Sequence, residues 1–158
     1  MYTRYCGRVL RYCARLLKDT QAAEDAVQNV FVKLHAGRAS IRNGQSLQSW
    51  VFTVARNEAF EELRRRKGEL LSEEIVWEGV LPDEELSKKN RREAIESVLN
   101  ALYPSFREII ILREYEQLSY DEIAQVTNTT VSSVKSRLFK ARKALIEKLK
   151  PYLDEREL

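Results

Sequence analysis

Apolar residues recur along most of this chain at intervals of three and four, the spacing that gathers side chains on one face of an α-helix. Between Tyr2 and Lys18 they fall at Tyr5, Val9, Tyr12, Cys13, Leu16 and Leu17, which predicts an amphipathic first helix. Asp19-Thr20 interrupts it. Thr20 is the expected N-cap of a second helix, with Glu24 and Asp25 near its positive end, and this helix runs to about His35. Residues 37–44, which include Gly37, Ser40, Asn43 and Gly44, read as a loop, after which Ser46 or Ser49 can open a third helix. That helix carries Trp50, Val51, Val54, Ala55, Ala59, Phe60 and Leu63 and ends on Arg64-Arg65-Arg66-Lys67-Gly68. Cations followed by glycine form a helix-stop signal, and the same cluster suits nucleic-acid phosphate; both readings stay open at this point.

Residues 68–85 lack a sustained period and contain Gly79 and Pro82, as expected of a linker. Helical spacing resumes at about Pro82, passes through Ile95, Val98, Leu99 and Leu102, and stops before Pro104. One helix is expected from Ser105 to Glu116, buried through Phe106, Ile109, Ile110 and Leu112, and two more complete the chain. The predicted fold class is therefore all-α. Two small helical domains, residues 1–67 and 91–158, are joined by a flexible acidic linker over residues 68–90, and the second contains a helix-turn-helix.

Composition agrees: of 158 residues 44% are hydrophobic and 32% charged, with only 5 glycines and 3 prolines. The net charge of +3 conceals blocks. Residues 1–67 hold 13 Lys/Arg against 6 Asp/Glu, residues 68–90 hold 2 against 7, and residues 91–158 hold 12 against 11. Such blocks suit contact with a polyanion at separate places, or simply a solvated surface. Cys6 and Cys13 lie on one stripe of a single helix, where they cannot bridge, and read as core residues. His35 has no Cys, His or carboxylate set at ligand spacing and reads as a helix-end residue. No nucleophile-base-acid set or phosphate-cradling loop is present, so neither catalysis, nor a metal, nor a cofactor is expected. With no apolar leader and no aliphatic run longer than Ile109 to Leu112, the sequence predicts a cytoplasmic protein without membrane insertion.

The most informative segment is the last third. Ser119 and Glu122 stand as S-x-x-E before Ile123-Ala124, a capping box that opens a short helix. Asn128, within Thr127-Asn128-Thr129, can take the left-handed conformation that a tight turn between helices needs, and Thr130 can cap the next helix. At about 100° per residue, Val131, Val134, Leu138, Ala141 and Leu145 share one apolar sector of that helix. Ser132, Ser133, Ser136, Phe139, Lys140 and Lys143 face the other way, with Lys135 at the flank. Small residues at the leading edge permit close approach to a major groove, the helix N-terminus attracts phosphate, and the lysines can reach bases or backbone. Phe139 suits apolar contact with a thymine methyl or a sugar, or else marks the edge of the core. Arg137 falls on the border and is expected to serve the scaffold, through Asp121 or Glu122.

The run Leu118 to Ala124 followed by Val131 to Arg142, entered through Leu102-Tyr103-Pro104 and Phe106-Arg107-Glu108, resembles the fourth region of extracytoplasmic-function (ECF) sigma factors. In the N-terminal half, Ala23 to Phe31 resembles their polymerase-binding second region, and Trp50 to Asn57 its promoter-opening segment. The resemblance implies a cytoplasmic partner of bacterial core RNA polymerase that directs promoter recognition and transcription initiation. It places Asp25, Gln28 and Asn29 on the polymerase-docking surface, with Phe31 packed internally. It places Trp50, Arg56, Asn57 and Glu61 at the melted minus-10 element, with Arg64 and Arg65 neutralising backbone phosphate. Ser132, Ser133, Lys135, Ser136, Phe139, Lys140 and Lys143 would bind the upstream, minus-35 element. An anti-sigma factor is an implied further partner. Asn29 stands where the family usually has an acidic residue, and Thr127, Asn128 and Thr129 replace aliphatics and a glycine, which implies a looser turn.

Two other readings compete. A sigma mimic that sequesters an anti-sigma factor would be expected to lose the basic recognition face, whereas Lys135, Lys140 and Lys143 are present. A stand-alone helix-turn-helix regulator would have no use for the docking run around Asp25 to Gln28.

Overall fold

The computed structural model describes residues 2–37, 46–67 and 91–152. The expected linker over residues 68–90, the loop over 38–45 and any helical turn before Arg91 lie outside the described residues. Helices α1 (Tyr2–Leu17), α2 (Thr20–Ala36) and α3 (Leu47–Lys67) pack on one another as a first lobe. A second lobe contains α4 (Arg91–Ala101), α5 (Pro104–Ile110), α6 (Tyr120–Thr127) and α7 (Val131–Leu149). Among the described residues there is no strand.

All six apolar positions expected of α1 are buried, and α2 closes over them with Ala23, Ala26, Val27, Val30 and Leu34. The cap of α2 sits one residue earlier than expected. Asp19, not Thr20, is extended (φ −150°, ψ 113°), and its carboxylate accepts from the Ala22 amide at 3.1 Å. A full negative charge at the positive end of a helix is a stronger acceptor than a hydroxyl, and Arg66 of α3 holds Asp19 from the other side at 2.9 Å. Ser46 opens α3 by accepting from the Ser49 amide at 3.0 Å. Four successive residues of its first turns, Ser49, Trp50, Val51 and Phe52, are all buried. Four successive positions look in almost every direction around a helix, so the start of α3 is enclosed on all sides. The first lobe covers one side, with Tyr12 edge-on to Phe52 at 5.5 Å, and α6 covers another.

The helix expected from Ser105 to Glu116 also differs from its sequence pattern. It begins at Pro104, which suits a first helical position, but after Ile110 it widens into a π-helical turn over Ile111–Tyr115. Ile109, Ile110, Ile111 and Leu112 are all buried. A regular helix would return the Glu116 amide to the Leu112 carbonyl. The Glu116 amide instead reaches back to the Ile111 carbonyl at 2.9 Å, the Leu118 amide to the Leu112 carbonyl at 3.0 Å, and Gln117 takes a positive φ of 57° to close the turn.

The helix-turn-helix forms as its local chemistry dictates. Ser119 Oγ accepts from the Glu122 amide at 3.1 Å while Glu122 Oε1 accepts from the Ser119 amide at 3.2 Å, which completes the capping box. Asn128 is left-handed (φ 53°, ψ 48°), and the Thr130 side chain accepts from the Ser133 amide at 3.1 Å. The two threonines of the turn are accommodated by hydrogen bonding. Thr127 Oγ1 donates to the Ile123 carbonyl at 2.7 Å and lies 3.0 Å from Thr129 Oγ1.

Asn128→Ala should lower the unfolding free energy by about 1 kcal/mol, because only Gly and Asn accept the left-handed conformation readily, while Asn128→Gly should change it little; urea denaturation measures both. Burial pushes the Cys13 thiol up to about 12 from its ordinary 9.0, with Glu58 adding to the effect. The unfolded thiol therefore releases its proton first, so the stability that depends on neutral Cys13 is intact below pH 9.0 and falls as the pH rises toward about 12. Iodoacetamide under mild alkali should modify half-buried Cys6 and spare Cys13 until the chain unfolds, read by peptide mass.

Candidate nucleic-acid interface

Helix α7 is anchored by Val134, Leu138 and Ala141, which are buried, with Val131 and Leu145 half-buried beside them. That packing turns Ser132, Ser133, Lys135, Ser136, Phe139, Lys140 and Lys143 to solvent, as the helical spacing requires. Phe139 is 70% exposed, which removes it from the core. Alongside α7 lies an open groove of about 480 Å³ whose far wall is the start of α5: Tyr103, Ser105 and Phe106 face Ser132, Ser133, Ser136, Arg137 and Lys140. Tyr103 and Phe106 meet edge to face at 5.7 Å, giving that wall a rigid aromatic surface. The groove thus offers serine hydroxyls, the cations Arg137 and Lys140 and an α-helix N-terminus on one side, and the Tyr103/Phe106 aromatic pair with Ser105 on the other. Arg142 is diverted from it, since its guanidinium binds Glu114 at 3.1 Å.

Arg137 is half-buried and lies within electrostatic reach of Glu108 on α5. Glu108 is fully buried and is pushed up from the ordinary carboxylate range by desolvation, against the opposing pull of Arg56 and Arg137. Arg107 beside it is also buried; its guanidinium donates to the Asn100 carbonyl at 3.1 Å, and burial draws its pKa down to about 10.

The residues singled out in the first lobe divide. Asp25, Gln28 and Asn29 are exposed on α2, and Asn57, Glu61, Arg64 and Arg65 are exposed on α3. Asp25 and Asn29 line one groove of about 340 Å³ together with Glu61 and Arg65, so two sets that the motifs kept apart share a single surface. Glu58 and Glu62 also line it and were not singled out beforehand. Glu58 binds Lys33 and accepts from Asn29 Nδ2 at 3.3 Å, while Glu62 holds Arg65 and accepts from Arg66 at 3.1 Å. The i, i+3, i+4 spacing of Glu58, Glu61 and Glu62 was the available signal. Of the basic cluster, Arg66 is structural: it ties α3 to the Leu17 carbonyl and to Asp19, each at 2.9 Å.

Trp50 and Arg56 do not join this groove, contrary to their expected place on a promoter-facing surface. Trp50 is 9% exposed and belongs to the hydrophobic core. Arg56 stacks over Phe60 and donates through Nε to Glu108 of the second lobe. Among the described residues no group of His, Cys, Asp or Glu could hold a metal.

The chain matches two family models, Sigma-70 region 2 over residues 1–69 and Sigma-70 region 4 over residues 92–145. It is 30% identical over 148 residues to the RNA polymerase sigma factor YlaC of Bacillus subtilis, covering 90% of this chain and 86% of that protein. It is 29% identical to the ECF RNA polymerase sigma-E factor of Escherichia coli, covering 97% of this chain and 86% of the relative. The chain belongs to the ECF sigma factors. Solved members share its architecture. The sigma factor RpoE of Bartonella quintana, in complex with the anti-sigma factor NepR, superposes with a TM-score of 0.73 at 28% identity over 94% of each chain. CnrH, in complex with the cytosolic domain of CnrY, does so at 0.67 and 26% over 94% of this chain and 84% of that one. Within this sigma factor the region 2 match spans the α2/α3 groove, and the region 4 match spans the α5/α7 groove. No helix is long and apolar enough among the described residues to cross a membrane.

Proposed function

We propose that this chain binds bacterial core RNA polymerase and directs it to promoters, with residues 1–67 docking the polymerase and opening the minus-10 element and residues 91–158 holding the minus-35 element. Residues 68–90 connect the two. The chain acts as a non-enzymatic initiation factor; bond formation falls to the polymerase. The observation that carries this reading is the outer face of α7, where Ser132, Ser133, Ser136, Phe139, Lys140 and Lys143 are exposed on a helix capped and packed only from behind. Ser132, Ser133 and the α7 N-terminus approach the duplex, Lys140 and Lys143 neutralise phosphate, and Phe139 meets a thymine methyl or sugar.

In the first lobe, Asp25, Gln28 and Asn29 dock polymerase, while Asn57, Glu61, Arg64 and Arg65 face the melted strand along the same groove. Trp50 supports that strand-facing helix from within. Arg56 reaches DNA once it leaves Glu108. The solved relatives bound to anti-sigma factors favour an anti-sigma factor as the regulatory partner.

Mixed with bacterial core polymerase, the chain should start transcription at promoters that core alone ignores. Run-off transcripts mapped to defined start sites are the expected readout, and binding to duplex DNA without holoenzyme formation would instead identify a stand-alone regulator. Lys140→Ala should weaken binding to the upstream element and reduce the slope of log affinity against log salt by about 0.9, one phosphate contact. An unchanged slope would remove Lys140 from the backbone-gripping set.

A further inference from the structure

Two carboxylates of the α2/α3 groove are held in different ways. Glu62 turns to Arg65 and Arg66 of its own helix, whereas Glu58 reaches across to α2. One Glu58 oxygen accepts from Asn29 Nδ2 at 3.3 Å, and the other pairs with Lys33, one turn further along α2. The Glu58 side chain is 12% exposed, while Asn29 and Lys33 stand at the surface. A nearly buried carboxylate thus grips two surface residues from behind.

That grip decides which way the Asn29 amide faces. Rotation about the last bond of an asparagine side chain is soft, so an exposed amide exchanges its two ends at little cost. An ionised carboxylate, however, can only accept. The NH2 group must therefore lie on the Glu58 side, which turns the carbonyl oxygen Oδ1 away from α3.

Asp25 stands one turn earlier on the same exposed face of α2, roughly 6 Å from Asn29 at the level of the Cβ atoms. Gln21 donates to its Oδ1 at 3.3 Å, and the carboxylate has further capacity to accept. With Asn29 Oδ1 turned outward, two acceptors stand side by side. A cationic donor gains from both, whereas an outward NH2 at Asn29 would oppose it.

We propose that Glu58 is a positioning residue for polymerase docking: by holding the Asn29 amide it presents Oδ1 beside the Asp25 carboxylate, as a paired acceptor for an arginine or lysine of core polymerase. This rests on the reading of Asp25 and Asn29 as docking residues.

A double-mutant cycle on the full chain, titrated into dye-labelled core polymerase, tests it. The chains of the cycle carry Lys33→Met, which keeps the aliphatic stem and removes that charge from the comparison. Glu58→Ala should weaken core binding about fivefold while Asn29 is present, because the amide is then free to turn its NH2 outward. In an Asn29→Asp background the same substitution should leave binding at least as tight, since both oxygens of a carboxylate accept and need no orienting. Circular dichroism confirms that each variant keeps its helices. A role confined to tying α2 to α3 would weaken both backgrounds alike, so an equal loss in the two overturns the positioning role, as does no loss in either. Asp25→Ala, at a residue that does not touch Glu58, reports on the docking face by itself. Wild-type affinity in that variant overturns the docking reading and the proposal with it, whereas weakened affinity there without the background dependence overturns the proposal alone.

Discussion

A carboxylate taken out of water must find donors or positive charge, and Glu108 finds them on three other helices. Tyr12 reaches it from α1, Arg56 from α3, and Arg137 acts on it from α7. The α5 residue on which Arg137 of α7 acts is therefore also the one that takes hydrogen bonds from the first lobe. Glu116 extends the arrangement because the π-helical turn brings it inward to Arg8, and the aliphatic residues Ile109 to Leu112 supply the apolar floor beneath both carboxylates. A single hydrophobic core consequently runs through both lobes.

The two grooves are built from opposite principles. Along α7 the sequence separates an inward apolar sector from an outward face of small and basic side chains, so the surface is ready without rearrangement. Between α2 and α3 the lining is dominated by the carboxylates Asp25, Glu58, Glu61 and Glu62, of which Glu58 is held by Lys33 and Glu62 by Arg65 and Arg66. These exposed pairs contribute little stability, but they orient polar groups toward a partner that brings its own charge. In the function we propose, the first surface takes duplex DNA and the second is shared by polymerase and a single strand.

Much of this was legible in the sequence wherever the determinant is local. The buried stripe of α1, the Ser119/Glu122 capping box, the left-handed Asn128 and the Thr130 cap depend on neighbours within four residues, and spacing alone reveals them. The displaced cap of α2 required knowing that Arg66 stands across from Asp19. Ile109 to Leu112 are all buried, which no single-face periodicity describes, and no local signal marks the π-helical turn that begins at Ile111. Trp50 and Arg56 carry the same ambiguity: their motif suggests a surface, and only the placement of the second lobe shows one in the core and the other on Glu108. The pairing of Arg8 with Glu116 spans most of the chain and leaves no trace in local pattern.

The central claim is that the exposed face of α7 grips promoter DNA on behalf of core polymerase. Run-off transcription by core polymerase with the wild-type chain and with a chain carrying both Lys140→Ala and Lys143→Ala tests this directly. The account predicts defined transcripts with the wild type and a roughly tenfold loss with the variant, while the holoenzyme still forms. Equal transcription by both would contradict it.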